Sequence, residues 1–143
     1  MITNFRHAGI VVSDMDSSLR FYRDLLGFEV RKQMDESGSY IDRMLSLPET
    51  RVTTCKMASP DGVLIELLQF HSHPRKPRAD RAACDIGPTH IALTVADLEK
   101  TFKELTSAGV AFNAPPQLSP DGYARVTFCK DPDGSLIELV EVL

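Results

Sequence analysis

PDGVLIEL at residues 60–67 and PDGSLIEL at residues 132–139 are one octapeptide with a single change, and each places a Glu among apolar residues. Working outward, RVTTCK at 51–56 returns as RVTFCK at 125–130, an offset of 74, whereas the octapeptides are offset by 72. The first copy therefore carries two extra residues between these blocks. Further upstream, RHAGIVVSDMDSSLRFYRDLLG at 6–27 matches THIALTVADLEKTFKELTSAG at 89–109, which sets His7 over His90 and Asp14 over Asp97. The chain thus reads as a duplication, with module 1 at 1–70, a linker at 71–87 and module 2 at 88–143. Two copies fall short of the three or more that a solenoid needs.

Each module has the same order of periodicities. HAGIVV and HIALTV are short, apolar and β-branched, as strands are. Asp14 and Asp97 are suited to accept from the exposed N–H groups of a following helix, and Gly27 and Gly109 to end it in the left-handed conformation. Met15, Leu19, Tyr22 and Leu26 recur at helical spacing, as do Leu98, Phe102 and Leu105, and each stripe should pack on a sheet. FEVRKQM (28–34) and VAF (110–112) restart extended structure. RVTTCKM (51–57) and YARVTFCK (123–130) alternate as strands, PDG makes a turn, and GVLIELLQF and GSLIELVEV are final strands. The expected class is α+β, with two tandem βαβββ modules in a single domain over 1–143.

Strand alternation places His7 on one face with Gly9 and Val11, and His90 with Ala92 and Thr94. The bulkier rows suit the helices, so each His begins a face lined by smaller residues. Glu66 lies with Leu64 and Leu68, and Glu138 with Leu136 and Val140. An ionised carboxylate in an apolar row costs several kcal/mol unless something pairs with it, and a cation would remove the difficulty. A lone His or Glu in a strand is usually structural. Two of each at equivalent places of a duplicated unit are a different matter, because two-fold pseudosymmetry can bring like positions to one point. Two imidazoles with two carboxylates suit a divalent transition ion and leave room for water or substrate.

Composition narrows the function classes. With 43% hydrophobic and 25% charged residues the chain is an ordinary globular domain, and no apolar run approaches the roughly 18 residues of a membrane helix. A net charge of −4 disfavours nucleic acid as a partner. Cys55, Cys84 and Cys129 are odd in number and lack C-x-x-C spacing, so reduced thiols are expected. No secretory leader pattern opens the sequence, and cytoplasm is the default location.

With His7 and His90 opening the first strands and Glu66 and Glu138 in the last, the duplicated plan resembles the vicinal oxygen chelate superfamily: glyoxalase I, methylmalonyl-CoA epimerase, extradiol dioxygenases, and fosfomycin and bleomycin resistance proteins. The resemblance covers nearly the whole chain and is weakest at 31–50 and 71–87. It implies an open, cup-shaped mixed β-barrel holding one divalent metal, with His7, Glu66, His90 and Glu138 as ligands. The four-ligand set is most similar to that of glyoxalase I, while the epimerase usually has Gln where Glu66 stands. The activity implied by the resemblance is that of a metal-dependent lyase or isomerase, which removes a proton next to a chelated carbonyl through an enediolate, with Glu138 or Glu66 as base. An extradiol dioxygenase or a resistance protein is the alternative. Nickel, cobalt, zinc, manganese and iron all fit. The implied partners are a small molecule with vicinal oxygens, such as a thioester or hemithioacetal, and a second copy in a homodimer.

Other candidates are weaker. His71 and His73 open a Pro-rich linker whose Arg75, Lys76, Arg78 and Arg81 form a basic cluster able to meet carboxylates or phosphates. Asp35 to Pro48, with Tyr40 and Arg43, has no counterpart in module 2 and reads as an irregular segment suited to substrate selection. Arg51, Arg125 and Tyr123 complete the set.

Overall fold

The computed structural model describes residues 1–77 and 82–143, in two compact units, Met1–Pro77 and Arg78–Leu143. Arg78 and Arg81 of the basic cluster lie outside the described residues.

In the first unit, strand β1 (Ala8–Val11) is followed by helix α1 (Met15–Leu19), which continues as a π-helical segment (Arg20–Leu25). Then come β2 (Glu29–Ser37), α2 (Ser39–Leu45), β3 (Arg51–Ala58) and β4 (Leu64–Phe70). The sheet order is β1-β4-β3-β2, with β1 parallel to β4 and the other pairs antiparallel. Asp14 caps α1 by accepting from the Ser17 N–H at 2.7 Å, and Gly27 closes the helical stretch at φ 78°. Met15, Leu19 and Tyr22 are buried as the helical spacing requires, and the wider π turn brings in Phe21 as well. These residues cover the sheet face carrying Cys55, Met57, Ile65 and Leu67, all at most 4% exposed. The side-chain amide of Gln69 ties the helix entry to β4, accepting from the Met15 N–H and donating to the Ser13 carbonyl.

The second unit runs β5 (His90–Thr94), α3 (Leu98–Ser107), β6 (Gln117–Leu118), β7 (Ala124–Lys130) and β8 (Leu136–Val142), in sheet order β5-β8-β7-β6. Asp97 accepts from the Lys100 N–H and Gly109 ends the helix at φ 86°. Glu141 stands where Gln69 stands in the first unit and accepts from the Leu98 N–H at 3.1 Å. Leu98, Leu105, Cys129, Ile137 and Leu139 are buried. The fold is α+β, with two four-stranded mixed sheets in tandem βαβββ order, as expected.

Two local expectations need correction. Residues 110–112 contribute a single bridge, Phe112 to Cys129, and the strand of that position is displaced to Gln117–Leu118. Pro115 and Pro116, which lack the N–H that a ladder needs, lie between this bridge and Gln117–Leu118 and account for the shortening. The insertion at 35–48 is ordered: α2 ends with Ser46 in the left-handed region, and Asp42 accepts from the backbone N–H groups of Thr50 and Glu49.

The β3–β4 and β7–β8 hairpins match residue for residue at an offset of 72. Ser59 and Asp131 each donate a backbone N–H across the turn, to Val63 and Ser135, and Gly62 and Gly134 donate back to Ser59 and Asp131. Ladder and loop therefore have the same length in both copies, with Met57 and Ala58 standing where Cys129 and Lys130 stand, and the offset of 74 marks a shift of the similar letters along the strand. RVTTCK and RVTFCK look alike but are slipped by two along their ladders. Glu66 faces Lys56 across the sheet, whereas Glu138 faces Phe128.

Candidate functional site

Each unit brings its own His and Glu together. His7 immediately precedes β1, and Glu66 sits opposite Gly9 of that strand. His90 is the first residue of β5, and Glu138 sits opposite Ala92. Hydrogen or methyl is all that Gly9 and Ala92 place beside the carboxylates, so the imidazole two residues earlier can lean over them on the same face. His7 Nε2 lies 3.1 Å from Glu66 Oε2, and His90 Nε2 lies 3.1 Å from Glu138 Oε2. The side chains are half-buried in both units, the carboxylates more so, at 15% and 22% exposure.

That repeated distance suits a shared cation. Two donors about 2.1 Å from one ion and at right angles to each other are separated by about 3.0 Å. An imidazole Nε2 and a carboxylate Oε2 recur in both pairs, the donor types a borderline divalent ion takes. Nδ1 of His7 is buried without a hydrogen-bond partner among the described residues. In the metal-free protein a proton on Nε2, donated to Glu66, avoids an unmatched donor. Coordination through Nε2 would move that proton to Nδ1 at about 1–3 kcal/mol, well below the roughly 10 kcal/mol or more that a protein zinc site gains. The residues fit the group. Within each unit the arrangement is a two-donor pair, and no third His, Cys, Asp or Glu joins either one among the described residues.

The surroundings of the two pairs differ, and this was missed in the sequence. Lys56 Nζ lies 3.3 Å from Glu66 Oε1, so both oxygens of that carboxylate are engaged. In the second unit the equivalent position is Phe128, whose ring meets the His90 ring edge-on with centroids 5.2 Å apart. Glu138 engages His90 through Oε2, and its Oε1 meets no donor among the described residues. The unequal offsets, 74 and 72, were the available signal.

The remaining candidates gather elsewhere. His71 and His73 follow the C-terminal end of β4, while His7 sits by its N-terminal end. His71 Nε2 is 2.8 Å from Thr53 Oγ1, which donates to Asp35, and Ser72 Oγ is 2.8 Å from His73 Nδ1. A cavity of about 680 Å³ there is lined by Gly38, Asp42, Arg51, Ser72 and His73 among others. The backbone N–H of Thr50 holds the Asp42 carboxyl below the usual range. Arg125 faces Glu141 at 3.9 Å, Tyr123 is exposed, and Arg75 and Lys76 are exposed. Burial pushes the Cys129 thiol up to about 11 and raises that of Cys55, as expected of inert reduced thiols; Cys84 is exposed. No helix among the described residues is long and apolar enough to cross a membrane.

Comparison with known proteins agrees with the fold. The chain is 31% identical to the protein YwkD of Bacillus subtilis, over 99% of this chain and 98% of that one. It is 28% identical to a probable lactoylglutathione lyase of Synechocystis, covering 94% and 92% of the two chains. A crystal structure of a glyoxalase family protein from Bacillus cereus superposes with a TM-score of 0.88, at 24% identity over 100% of this chain and 96% of that one. Residues 4–139 match the description of one family across both repeats, and the chain belongs to the Glyoxalase/Bleomycin resistance protein/Dioxygenase superfamily.

Proposed function

We propose that this protein is a divalent-metal-dependent lyase or isomerase, glyoxalase I-like or epimerase-like, acting on a small molecule with two vicinal oxygens such as a hemithioacetal or thioester. The observation that carries this reading is the pair of His–Glu contacts, identical at 3.1 Å and equivalent by repeat. A similarity to a probable lactoylglutathione lyase points the same way. His7, Glu66, His90 and Glu138 would hold the ion, both pairs being needed for four donors, supplied by one chain or by two in a homodimer. A divalent ion held by these residues would supply Lewis acidity, which lowers the energy of the charge left when a substrate C–H next to a carbonyl loses its proton.

The chain's own residues then divide the work. Glu66, gripped by His7 and Lys56 through separate oxygens, is suited to stay in place as a ligand. Glu138 has Oε1 available to accept the substrate proton and return it, the property a general base needs. Phe128 lines that carboxylate with an apolar ring and limits the access of water to it. Return of the proton to the opposite face of the same carbon gives an epimer, and delivery to the adjacent carbon gives the isomer.

The test is the metal content of protein purified without added metal, compared with His7→Ala/His90→Ala. Near-stoichiometric metal in the parent and little in the variant is expected. Equal metal in both would overturn the ligand set. Exchange of a carbon-bound substrate proton with D₂O, without oxygen uptake, separates this chemistry from that of a dioxygenase.

A further inference from the structure

The row across the sheet that carries Glu66 is cationic beyond it. In one row across the sheet of the first unit, Gly9 faces Glu66, Glu66 faces Lys56 and Lys56 faces Lys32. Residues directly opposite each other on neighbouring strands point to the same side, so the two lysines share the face of the carboxylate, and like charges so placed destabilise a sheet. Lys56 is about two-thirds buried, at 36% exposure, and its counter-ion is Glu66. The matching row of the second unit, Ala92, Glu138 and Phe128, carries no cation.

We propose that Lys56, backed by Lys32, is an oxyanion-binding element, so that the ligand taken beside the His7–Glu66 pair bears a carboxylate or phosphate oxygen that pairs with the Lys56 ammonium. This rests on the reading of Glu66 as a metal ligand. With Glu66 Oε2 given to a cation, the single negative charge of Glu66 is shared between that cation and Lys56, which leaves the partly buried ammonium undercompensated, and a second cation, Lys32, stands in register beside it. Half-buried charge in that state is stabilised by an anion far more than an exposed lysine would be. The element belongs to the first unit alone: the anionic end of a ligand is expected beside Lys56, and the matching row of the second unit offers it no such partner. Neutral vicinal diols or ketols would make the metal contacts and forgo this one.

The experiment titrates manganese-loaded protein with oxalate, inorganic phosphate and, as a neutral control, dihydroxyacetone, by calorimetry, for the parent, Lys56→Met and Lys56→Arg. Lys56→Met is expected to weaken oxalate or phosphate about tenfold or more and to leave dihydroxyacetone within about twofold; Lys56→Arg retains most of the affinity. Loss confined to oxalate identifies a carboxylate partner, and loss confined to phosphate identifies a phosphate. Unchanged affinity for both anions in Lys56→Met overturns the proposal. Metal content measured on the same samples separates this from the metal assignment. Should the parent bind no metal, that assignment fails, and Lys56 is read in chelator instead: Glu66→Gln, which releases the lysine, is expected to raise phosphate affinity, and Glu66→Gln/Lys56→Met to abolish the gain. No gain in that arm overturns the proposal independently.

Discussion

Glu66→Gln should destabilise the metal-free protein more than Glu138→Gln, because the first carboxylate has two partners, His7 and the Lys56 ammonium, and the second has His90 alone among the described residues. A charge-assisted hydrogen bond in a protein interior is worth about 1.5–3 kcal/mol, and an exposed ion pair about 0.2–1. Glu66 is 15% exposed while its partner Lys56 is 36% exposed, which places that contact between the two limits at about 1 kcal/mol. Gln still accepts a hydrogen bond from His7 or His90, so the histidine contact weakens by about 0.5–1 kcal/mol in either unit. The totals are then about 1.5–2 kcal/mol for Glu66→Gln and about 0.5–1 for Glu138→Gln. With a urea slope of about 2 kcal/mol/M, the midpoints fall by about 0.8–1 M and 0.3–0.5 M. The assay is urea unfolding in chelator at neutral pH, extended to a double-mutant cycle. Lys56→Met with Glu66→Gln should show a coupling of about 0.5–1 kcal/mol, and Phe128→Leu with Glu138→Gln should show a coupling near zero. Equal losses for the two Gln variants, or no coupling between Lys56 and Glu66, would refute the reasoning.

Stability should fall at alkaline pH through the buried thiols. Burial holds the folded-state value of Cys129 at about 11, above the unfolded value, so the unfolded chain binds fewer protons between the two and the stabilisation, complete below about pH 8.5, is lost toward pH 11. The loss is on the order of 3 kcal/mol, and Cys129→Ala should flatten this limb in urea titrations at a series of pH values. Leu67→Ala and Leu139→Ala, both fully buried at equivalent places, should each cost about 2–5 kcal/mol in the same assay, and a loss below about 1 kcal/mol would contradict the packing described. Gly109→Ala, at φ 86° with open space around the added methyl, should cost about 1 kcal/mol from backbone strain alone.

Much of the fold can be read from residues because local signals repeat. Asp14 with Gly27 and Asp97 with Gly109 bracket the helices in both sequence and structure, and the PDG turns recur with the same hydrogen bonds. The His–Glu contacts follow from alternation and duplication together. The details that escaped were tertiary ones. Nothing in RFYRDL announces a π turn, which arises where Phe21 and Tyr22 are both drawn into the core. The segment 39–45 is too short for a clear helical period, and its order depends on Asp42 reaching forward to Thr50. Lys56 was hidden by a resemblance: aligning RVTTCK with RVTFCK by letters sets Lys56 over Lys130, whereas the ladders set it over Phe128.

That slip has an arithmetic of its own. Sliding a strand by one residue exchanges its faces and would bury Lys56 in the core, but sliding it by two preserves which residues are inside and changes only who stands beside whom. The hairpin therefore works like a vernier, advancing the neighbour of a fixed carboxylate one notch at a time, from lysine to aromatic, while the buried rows stay in place. Paired insertions or deletions within β3 or β7, leaving the turns untouched, are thus a route to resetting the charge beside Glu66 or Glu138 without redesigning the fold.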